Sequence, residues 1–587
     1  MKLMDNSSRL GMFIFYDKDN IIDDYVIYML DSLTEAVNEL IIVSNSKLDK
    51  KELSKFEKYT NKIHIRENKG LDAGAFKEMY DLYGKDYFSN FDELVLMNDT
   101  FFGPFKPFKE IFKTMEKRNV DFWGLTASFK SVDGFGTMKL GYIPDHIQTY
   151  FIAFRNSVLI SDAFNDYWKN YQLDKMLSFN DVVTKHETMF TKYLSDNGFK
   201  WDTYVNMEHY KSEDLTRNYN VYGYSAYTLI KYFNCPFIKR KNLVFGKNDA
   251  LYINNGMDTV NALKYIKENN LYDVNMIYKN IIRIYPIYDI YYSLNLNYIV
   301  EPNSENKSKN LIIVFVSEEK VYNFVKQHYD TIKNSDIRYV TDNIEFKSKN
   351  VEYTENNYNY LIKNREDIIK KYENVCIMNH YYDLDLSLMQ EMDDSLIIKN
   401  IENAVYSDEY INGVTKLLSD NYTGVLLIPE SYHNHYFDNI AGFNWTKNFL
   451  DIKVIENKEE IEYGFTKDME LTKEIIASLD AIWLKSDILN SLIECDDISI
   501  QMLISYLPYI AKLNNKYIGK IYNKDYLLGD VSALSNAINH IIKDKFKPLS
   551  YPNIELYRTT LLRRLFRKVV PKPARRKMLK VYRKVIK

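Results

Sequence analysis

Glu93-Leu94-Val95-Leu96-Met97-Asn98-Asp99 decides the fold. Four apolar residues between a charged start and a polar end read as a strand buried on both faces, with Asn98-Asp99 leaving the core. The same pattern lies upstream. Gly11 to Tyr16 runs into Asp17-Lys18-Asp19-Asn20, Leu40 to Val43 into Ser44-Asn45-Ser46, and Ile63 to Ile65 into Glu67-Asn68-Lys69-Gly70-Leu71-Asp72-Ala73-Gly74. Between these strands, Ile22 to Val37 and Ala75 to Tyr83 carry apolar residues at helical spacing. Alternating strands and helices with polar strand ends predict an α/β domain with a largely parallel sheet. In such sheets the ligand site lies beyond the strand C-termini.

Further strands are expected at Asp121 to Thr126 and Tyr150 to Phe154, and helices over Ser161 to Tyr171 and about Val182 to Asn197, the latter carrying His186-Glu187. The first module closes near Pro236-Phe237-Ile238-Lys239-Arg240, giving a domain over 1–240. Residues 241–309 read as a helical connector and linker, ending in the polar stretch Glu301 to Asn310. The rhythm then returns. Leu311 to Phe315, Ile337 to Val340, Val351 to Tyr353, Asn374 to Met378 and Asp480 to Lys485 parallel strands of the first module, so 310–550 reads as a second copy. The plainer reading is that any two α/β domains share this rhythm.

Charge narrows the function. The 587 residues hold 77 Lys or Arg against 80 Asp or Glu, a net charge of −3. The last 31 residues alone hold 13 Lys or Arg and no acid, so the remainder is acidic. An acidic body excludes nucleic-acid binding along its length, because phosphate contacts need clustered cations. Three widely spaced cysteines, Cys235, Cys376 and Cys495, fit a reducing compartment. The first 20 residues contain no apolar stretch long enough for a signal peptide, and no window reads as a spanning helix. The expectation is a cytoplasmic protein. In the tail over 551–587, Leu561, Leu562, Leu565, Phe566 and Val569 share one helical face among cations; Met578, Leu579, Tyr582, Val585 and Ile586 repeat this after Pro571 to Pro573. That pattern suits an amphipathic segment on an anionic membrane, on the inner face of the cell membrane. A solvated tail and a nucleic-acid arm are the competing readings.

A nucleotide site needs acceptors for base and ribose, glycines where backbone approaches phosphate, and a carboxylate for a divalent cation. Asp17, Ser44, Asn45, Gly70, Asp72, Gly74, Asn98 and Asp99 supply that set at successive strand ends. Singly, each has a plainer reading as a turn or a helix cap.

Several short motifs, ENKGLDAGAFK, LVLMNDTFFGPF, DFWGLT, HIQTYF, TKHET and PFIKR, occur in the order seen in the rhamnan synthesis protein F family, which the chain resembles. The resemblance implies a GT-A-like glycosyltransferase fold and an inverting transfer of L-rhamnose from dTDP-L-rhamnose to a lipid-linked cell-wall glycan. It places Asn98-Asp99 at the element that holds Mg²⁺ or Mn²⁺, with Asp99 the metal carboxylate. Asn98 departs from the usual second aspartate, which puts metal dependence in question. Asp17, Ser44, Asn45 and Asp72 match donor-binding positions. Glu187 stands at the position of the base that deprotonates the acceptor hydroxyl, and the plain alternative is a solvent-facing helical glutamate. His186 reads as a helper or a packed histidine. His146, Gln148 and Trp123 read as the acceptor side, with core packing the alternative for Trp123.

In the second module Asn357-Tyr358-Asn359-Tyr360 stands where the first has Gly70 to Gly74, His380 stands where it has Asp99, and an apolar stretch around Ile504 stands opposite Glu187. This predicts a degenerate module. Asp383-Leu384-Asp385 and His433-Asn434-His435 invite metal readings, although surface loops account for both. The alternatives to a rhamnosyltransferase are a UDP-sugar enzyme of capsule or teichoic-acid synthesis and a non-catalytic assembly protein.

Overall fold

In the computed structural model the described residues are 2–545 apart from 4–6, 177, 245–256, 306–307, 347, 382–389, 431–450, 454, 456–474 and 476. Asp383-Leu384-Asp385, His433-Asn434-His435 and the basic tail lie outside the described residues. Among those described, no helix is long and apolar enough to cross a membrane.

The first sheet has seven strands: β1 (Arg9–Phe15), β2 (Glu39–Ser44), β3 (Ile63–Ile65), β4 (Glu93–Asn98), β5 (Phe122–Gly124), β6 (Phe151–Arg155) and β7 (Trp201–Thr203). Their spatial order is β7-β5-β6-β4-β1-β2-β3. All neighbours pair in parallel except β6, which runs antiparallel to both β4 and β5. The sheet is therefore mixed rather than uniformly parallel.

Its strands read as unbroken apolar runs because both faces are covered. Phe13 and Phe15 of β1 enter one apolar cluster while Leu10, Met12 and Ile14 enter another. The cluster holding Phe13 and Phe15 continues without a break through Ala262, Ile277, Ile281 and Ile290 to Ile313 and Phe315. The connector helices Asp258–Glu268, Val274–Ile284 and Ile287–Ser293 are thus packed between two sheets.

The second sheet comprises β8 (Asn297–Ile299), β9 (Asn310–Val316), β10 (Asp336–Thr341), β11 (Val351–Tyr353), β12 (Asn374–His380), β13 (Thr423–Leu427), β14 (Ala481–Lys485) and β15 (Tyr517–Tyr522). Their order is β8-β15-β13-β14-β12-β9-β10-β11, with β14 antiparallel to its neighbours. Apart from the edge strand β8, which falls inside the stretch read as linker, this repeats the first sheet's order and its single reversed strand.

The start of β4 is fixed by charge. Glu93 accepts from Arg9 Nε at 2.6 Å and from the Trp123 indole N–H at 2.8 Å. The fully buried Arg155 lies 3.8 Å from Glu93 and donates to the carbonyls of Met115, Arg118 and Val120. Trp123 is thereby a core residue on the rung of Val95, its indole reaching back to Glu93 and away from Asp99. It has no exposed face on which a sugar stacks, which corrects its reading as an acceptor-side residue.

Removing Glu93 takes the shared carboxylate from two buried guanidinium groups, leaving Arg9 with Glu116 and Arg155 with backbone carbonyls alone. Glu93→Ala is expected to cost about 3–5 kcal/mol of stability, seen as a lowered denaturation midpoint. A midpoint equal to wild type would show that the Arg9–Glu93–Arg155 cluster does not carry the sheet.

Candidate active site

The site lies where β1, β2 and β4 end and where the chain enters the reversed strand β6. Asn98 closes β4, and its N–H donates to the carbonyl of Tyr150 across the ladder, at 3.0 Å. Because β6 runs the other way, the residues before it, His146 to Thr149, arrive at the same edge as the ends of the parallel strands.

Asp72 and Glu187 are the carboxylates that meet there. Asp72 is in the first turn of the helix Leu71–Ser89 and accepts from Asn98 Nδ2 at 3.1 Å and from the Ala73 N–H at 2.9 Å. Burial, and then the charge of Glu187, push its carboxyl up to about 6. Glu187 accepts from Thr149 Oγ1 at 3.2 Å. It stands at the end of a π-helical turn, Val183–Glu187, between the helices Phe179–Val182 and Thr188–Asp196. Such a turn widens the helix locally and recurs at functional sites.

His186 faces the core. Its Nδ1 is 2.8 Å from the Tyr167 hydroxyl, its ring stacks on Phe190, and burial pushes it down to about 3. It is a packed neutral histidine.

The glycines serve close packing. Gly70 has φ +69°, followed by Leu71 at φ +55°, two successive left-handed residues of which the second is sterically costly. A Cβ on Gly74 would sit 2.1 Å from the Lys69 carbonyl oxygen, and one on Gly70 would sit 2.4 Å from Leu173 Cδ1. Neither position admits a side chain. The helix begins at Leu71 and contains Gly74, instead of following it.

Asp99 is almost wholly buried. Its Oδ2 accepts from the Tyr25 hydroxyl at 3.1 Å and lies 3.7 Å from Arg240 Nη2, and its Oδ1 accepts from the Tyr16 N–H at 3.4 Å. Burial pushes the carboxyl up against the pull of Arg240. Arg240 is held there by a two-residue ladder, Ile238–Lys239 on Phe101–Phe102, and by its N–H donating to the Thr100 carbonyl at 3.0 Å. Each Asp99 oxygen accepts one hydrogen bond and Arg240 stands beside Oδ2, so a cation held here would share the carboxylate with a guanidinium. Among the described residues no group of three or more His, Cys, Asp or Glu side chains assembles a metal site.

Lys239, adjacent in sequence, takes the other side. Its ammonium lies 4.7 Å from the Tyr150 ring centroid; burial lowers its pKa, while Glu187 and Asp72 pull it back up. The sequence reading used Lys239-Arg240 only as part of the PFIKR string and assigned them no role. Two cations directly after an apolar strand end were the signal.

The remaining expected residues are arranged as follows. Asp17 is buried and bound through both oxygens by Arg283, at 2.6 and 3.1 Å, from the connector helix Val274–Ile284. Ser44 Oγ donates to the Ser46 carbonyl at 2.9 Å. Asn45 bridges Arg66 and Asn68, at 2.8 and 3.0 Å. His146 is buried, with Nδ1 2.8 Å from the Pro144 carbonyl and its pKa lowered by burial. Gln148 accepts from Thr126 at 2.8 Å. Asp72 with Asn98 and Glu187 with Thr149 are two hydrogen-bonded pairs whose carboxylates feel each other's charge, and Asp99, Tyr25 and Arg240 form a further group next to Asn98. Trp123 belongs to none of them.

A family model described as rhamnan synthesis protein F matches residues 40–503. The chain belongs to that family. No curated protein matches it. Among solved structures, similarity is found to the mannosyltransferase Ktr4p from S. cerevisiae in complex with GDP (10% identity, TM-score 0.20, 29% of this chain and 64% of that one). Core-mannan synthase A from Aspergillus fumigatus in its Mn/GDP form is similar at 10% identity and TM-score 0.18, covering 28% and 64%. The 4-diphosphocytidyl-2C-methyl-D-erythritol synthase of Anaerococcus prevotii is similar at 14% identity and TM-score 0.21, covering 33% and 86%. This member of the rhamnan synthesis protein F family thus spans about two thirds of the length of the two mannosyltransferases.

Asp72 gives a test of the geometry. A carboxyl raised to about 6 in the folded chain holds more protons than the unfolded one between about pH 4 and 6, so its contribution to stability falls as pH rises through that window. Glu187→Gln removes a neighbouring negative charge and is expected to move the Asp72 titration down toward the ordinary aspartate range. Carboxyl-carbon NMR of aspartate-labelled protein reads it; an unmoved titration would mean that the two carboxylates do not share a site.

Proposed function

We propose that the chain is an inverting glycosyltransferase that moves L-rhamnose from dTDP-L-rhamnose onto a lipid-linked cell-wall polysaccharide. The observation carrying this reading is the delivery of the Glu187 carboxylate, by a π-helical turn and the Thr149 hydroxyl, to the strand-end edge that holds Asp72 and Asn98. Membership of a rhamnan synthesis family supports the choice of sugar.

The chemistry follows from the charges. Glu187 takes the proton of the acceptor hydroxyl as that oxygen attacks the anomeric carbon. The bond from anomeric carbon to phosphate oxygen breaks, its electron pair leaves with the nucleoside diphosphate, and the sugar's configuration inverts. Negative charge grows on the leaving group, and Lys239 and Arg240 are the cations at hand to stabilise it. Asp17, Ser44 and Asn45 frame the nucleoside end, and Asp72 with Asn98 binds donor hydroxyls, beside Gly70 and Gly74. His146 and Gln148 stand on the acceptor side, the imidazole neutral and so able to accept or donate one hydrogen bond without carrying charge.

Glu187→Gln is expected to lower kcat by about 10²–10⁴-fold, and Arg240→Ala by about 10²-fold or more, in transfer to a lipid-linked acceptor. Wild-type rates in both variants would refute the assignment. Transfer that persists in EDTA accords with Lys239 and Arg240 supplying the positive charge, and complete loss in EDTA would overturn that point. A thermal-shift screen of dTDP-rhamnose against UDP-hexoses separates the donors, since a specific one raises the melting temperature.

The basic segment 551–587 is proposed to hold the enzyme on an anionic cytoplasmic membrane face, each cation near the surface contributing on the order of 1 kcal/mol. Truncation after Tyr557 is expected to release the protein from anionic vesicles in a sedimentation assay while donor binding survives. A truncated chain that still pellets with the vesicles would show that the anchor lies elsewhere.

A further inference from the structure

The second sheet has a pocket of about 310 Å³ at the same edge as the first module's site. The ladders give the correspondence. Met97 pairs with Phe13 and Phe151, and Met378 pairs with Val314 and Ala481, so Asn379 occupies the rung of Asn98 and His380 that of Asp99. On the other side, Ile14 pairs with Val43 and Phe315 with Val340, which puts Asp342 at the place of Asn45.

The chemistry of this edge has changed. His380 is fully buried with Nε2 3.0 Å from the Tyr329 hydroxyl, turned into the core. The charged side chains lining the pocket, among the described residues, are all carboxylates: Asp342, Asp496 and Asp497. Beside them stand the amides Asn357, Asn379 and Gln501. Asp342 accepts from the Tyr381 hydroxyl at 2.6 Å and from Asn357 Nδ2 at 3.1 Å. Asn357 is 7% exposed, yet its Oδ1 has no hydrogen-bond partner. An unmade bond at a buried amide oxygen costs about 1–3 kcal/mol, which a water or a ligand group at the pocket wall would offset. Beneath the pocket, Asp480 is bonded by Asn379, Gln501 and Asn400, and burial pushes its carboxyl up to about 7. The amides that line the pocket are therefore held from behind.

We propose that this pocket binds a neutral oligosaccharide, and that it holds the growing glycan while the first module extends it. Three carboxylates repel a diphosphate, whereas adjacent hydroxyls of a sugar donate to carboxylate oxygens and exchange donors and acceptors with amides. The volume lies in the range of small-ligand sites. The contrast with the first site, which carries Lys239 and Arg240, is one of charge: an anionic donor at one strand-end edge, a neutral chain at the other. The oligosaccharide site stands on the pocket alone; its role in chain growth rests on the glycosyltransferase reading.

Calorimetry of the full-length protein with a rhamnose trisaccharide tests it. Binding is expected in the wild type, and to weaken about tenfold or more in Asp342→Asn and in Gln501→Ala, the cost of a hydrogen bond to a charged or buried polar group. Gln501 is exposed on the first turn of the helix Ile500–Leu513 but also bonds Asp480, so the melting temperatures of both variants are measured beside the binding, and Asp342→Asn, which leaves Asp480 its partners, decides the outcome if Gln501→Ala melts early. Absence of trisaccharide binding to the wild type, or equal binding by both variants, overturns the proposal. So does a second equivalent of dTDP-rhamnose that disappears in Asp342→Asn, which would make this a nucleotide site. A wild type that binds trisaccharide through Asp342 but transfers no sugar refutes the enzymatic reading and leaves the pocket standing.

Discussion

Strand β4 is the constraint from which the rest follows. It lies parallel to β1 on one side and antiparallel to β6 on the other, with Met97 opposite both Phe13 and Phe151. Its first residue, Glu93, is tied to two arginines and an indole in the core, so the strand has no freedom to slide. A slip of one residue would also turn every side chain to the wrong face. With the start fixed, the end is fixed. Asn98 and Asp99 emerge beside the ends of β1 and β2, and the reversal of β6 brings Thr149 to meet Glu187.

The connector does more than join two modules. Its helices bury Ala262, Ile277, Ile281 and Ile290 in the cluster shared by both sheets, and one of them sends Arg283 across to Asp17, Asp19 and Asp23. Lys279 and Asn280 of the same helix reach Asp24 and Asp23, each through a side-chain hydrogen bond. The loop after β1 is therefore shaped by residues more than 250 positions away in sequence. Asp17 is not a free acceptor. Any group that binds Asp17 shares it with Arg283, and so with the docking of the connector.

What was legible in the sequence is what local pattern encodes. Strands covered on both faces must be apolar throughout, so GMFIFY, LIIV and LVLM gave their own places and their polar ends marked the edge. The repeat was legible for the same reason, since LIIVF and NVCIM obey the same burial rule. The π-helical turn at Val183–Glu187 leaves no such trace; His186 and Glu187 are neighbours with opposite fates, and only the widened turn sends one to the core and the other to the site. Trp123 was misread because alternation along β5 tells which residues share a face, not which end of the sheet a long side chain reaches. Arg283 was out of reach because its partners are set by tertiary packing, and Arg240 because its partner Asp99 was already assigned to a metal.

The pairing of Asp99 with Arg240 marks a difference between the strand ends of the two sheets. A diphosphate donor needs positive charge, from a metal held by carboxylates or from cationic side chains, and the first module has a guanidinium and an ammonium at its strand ends. The second module has the same sheet order and a pocket at the same edge, but with Asp342 at the place of Asn45 and a buried histidine at the place of Asp99. The difference in charge comes from Asp342 at a strand end and from residues off the two large sheets, Lys239 and Arg240 in one module and Asp496 and Asp497 in the other, while both sheets keep the same strand order. In both sheets the apolar rungs hold the strands together, and the polar residues gather at and beyond the last rungs, Asn98 in one and Asn379 and His380 in the other.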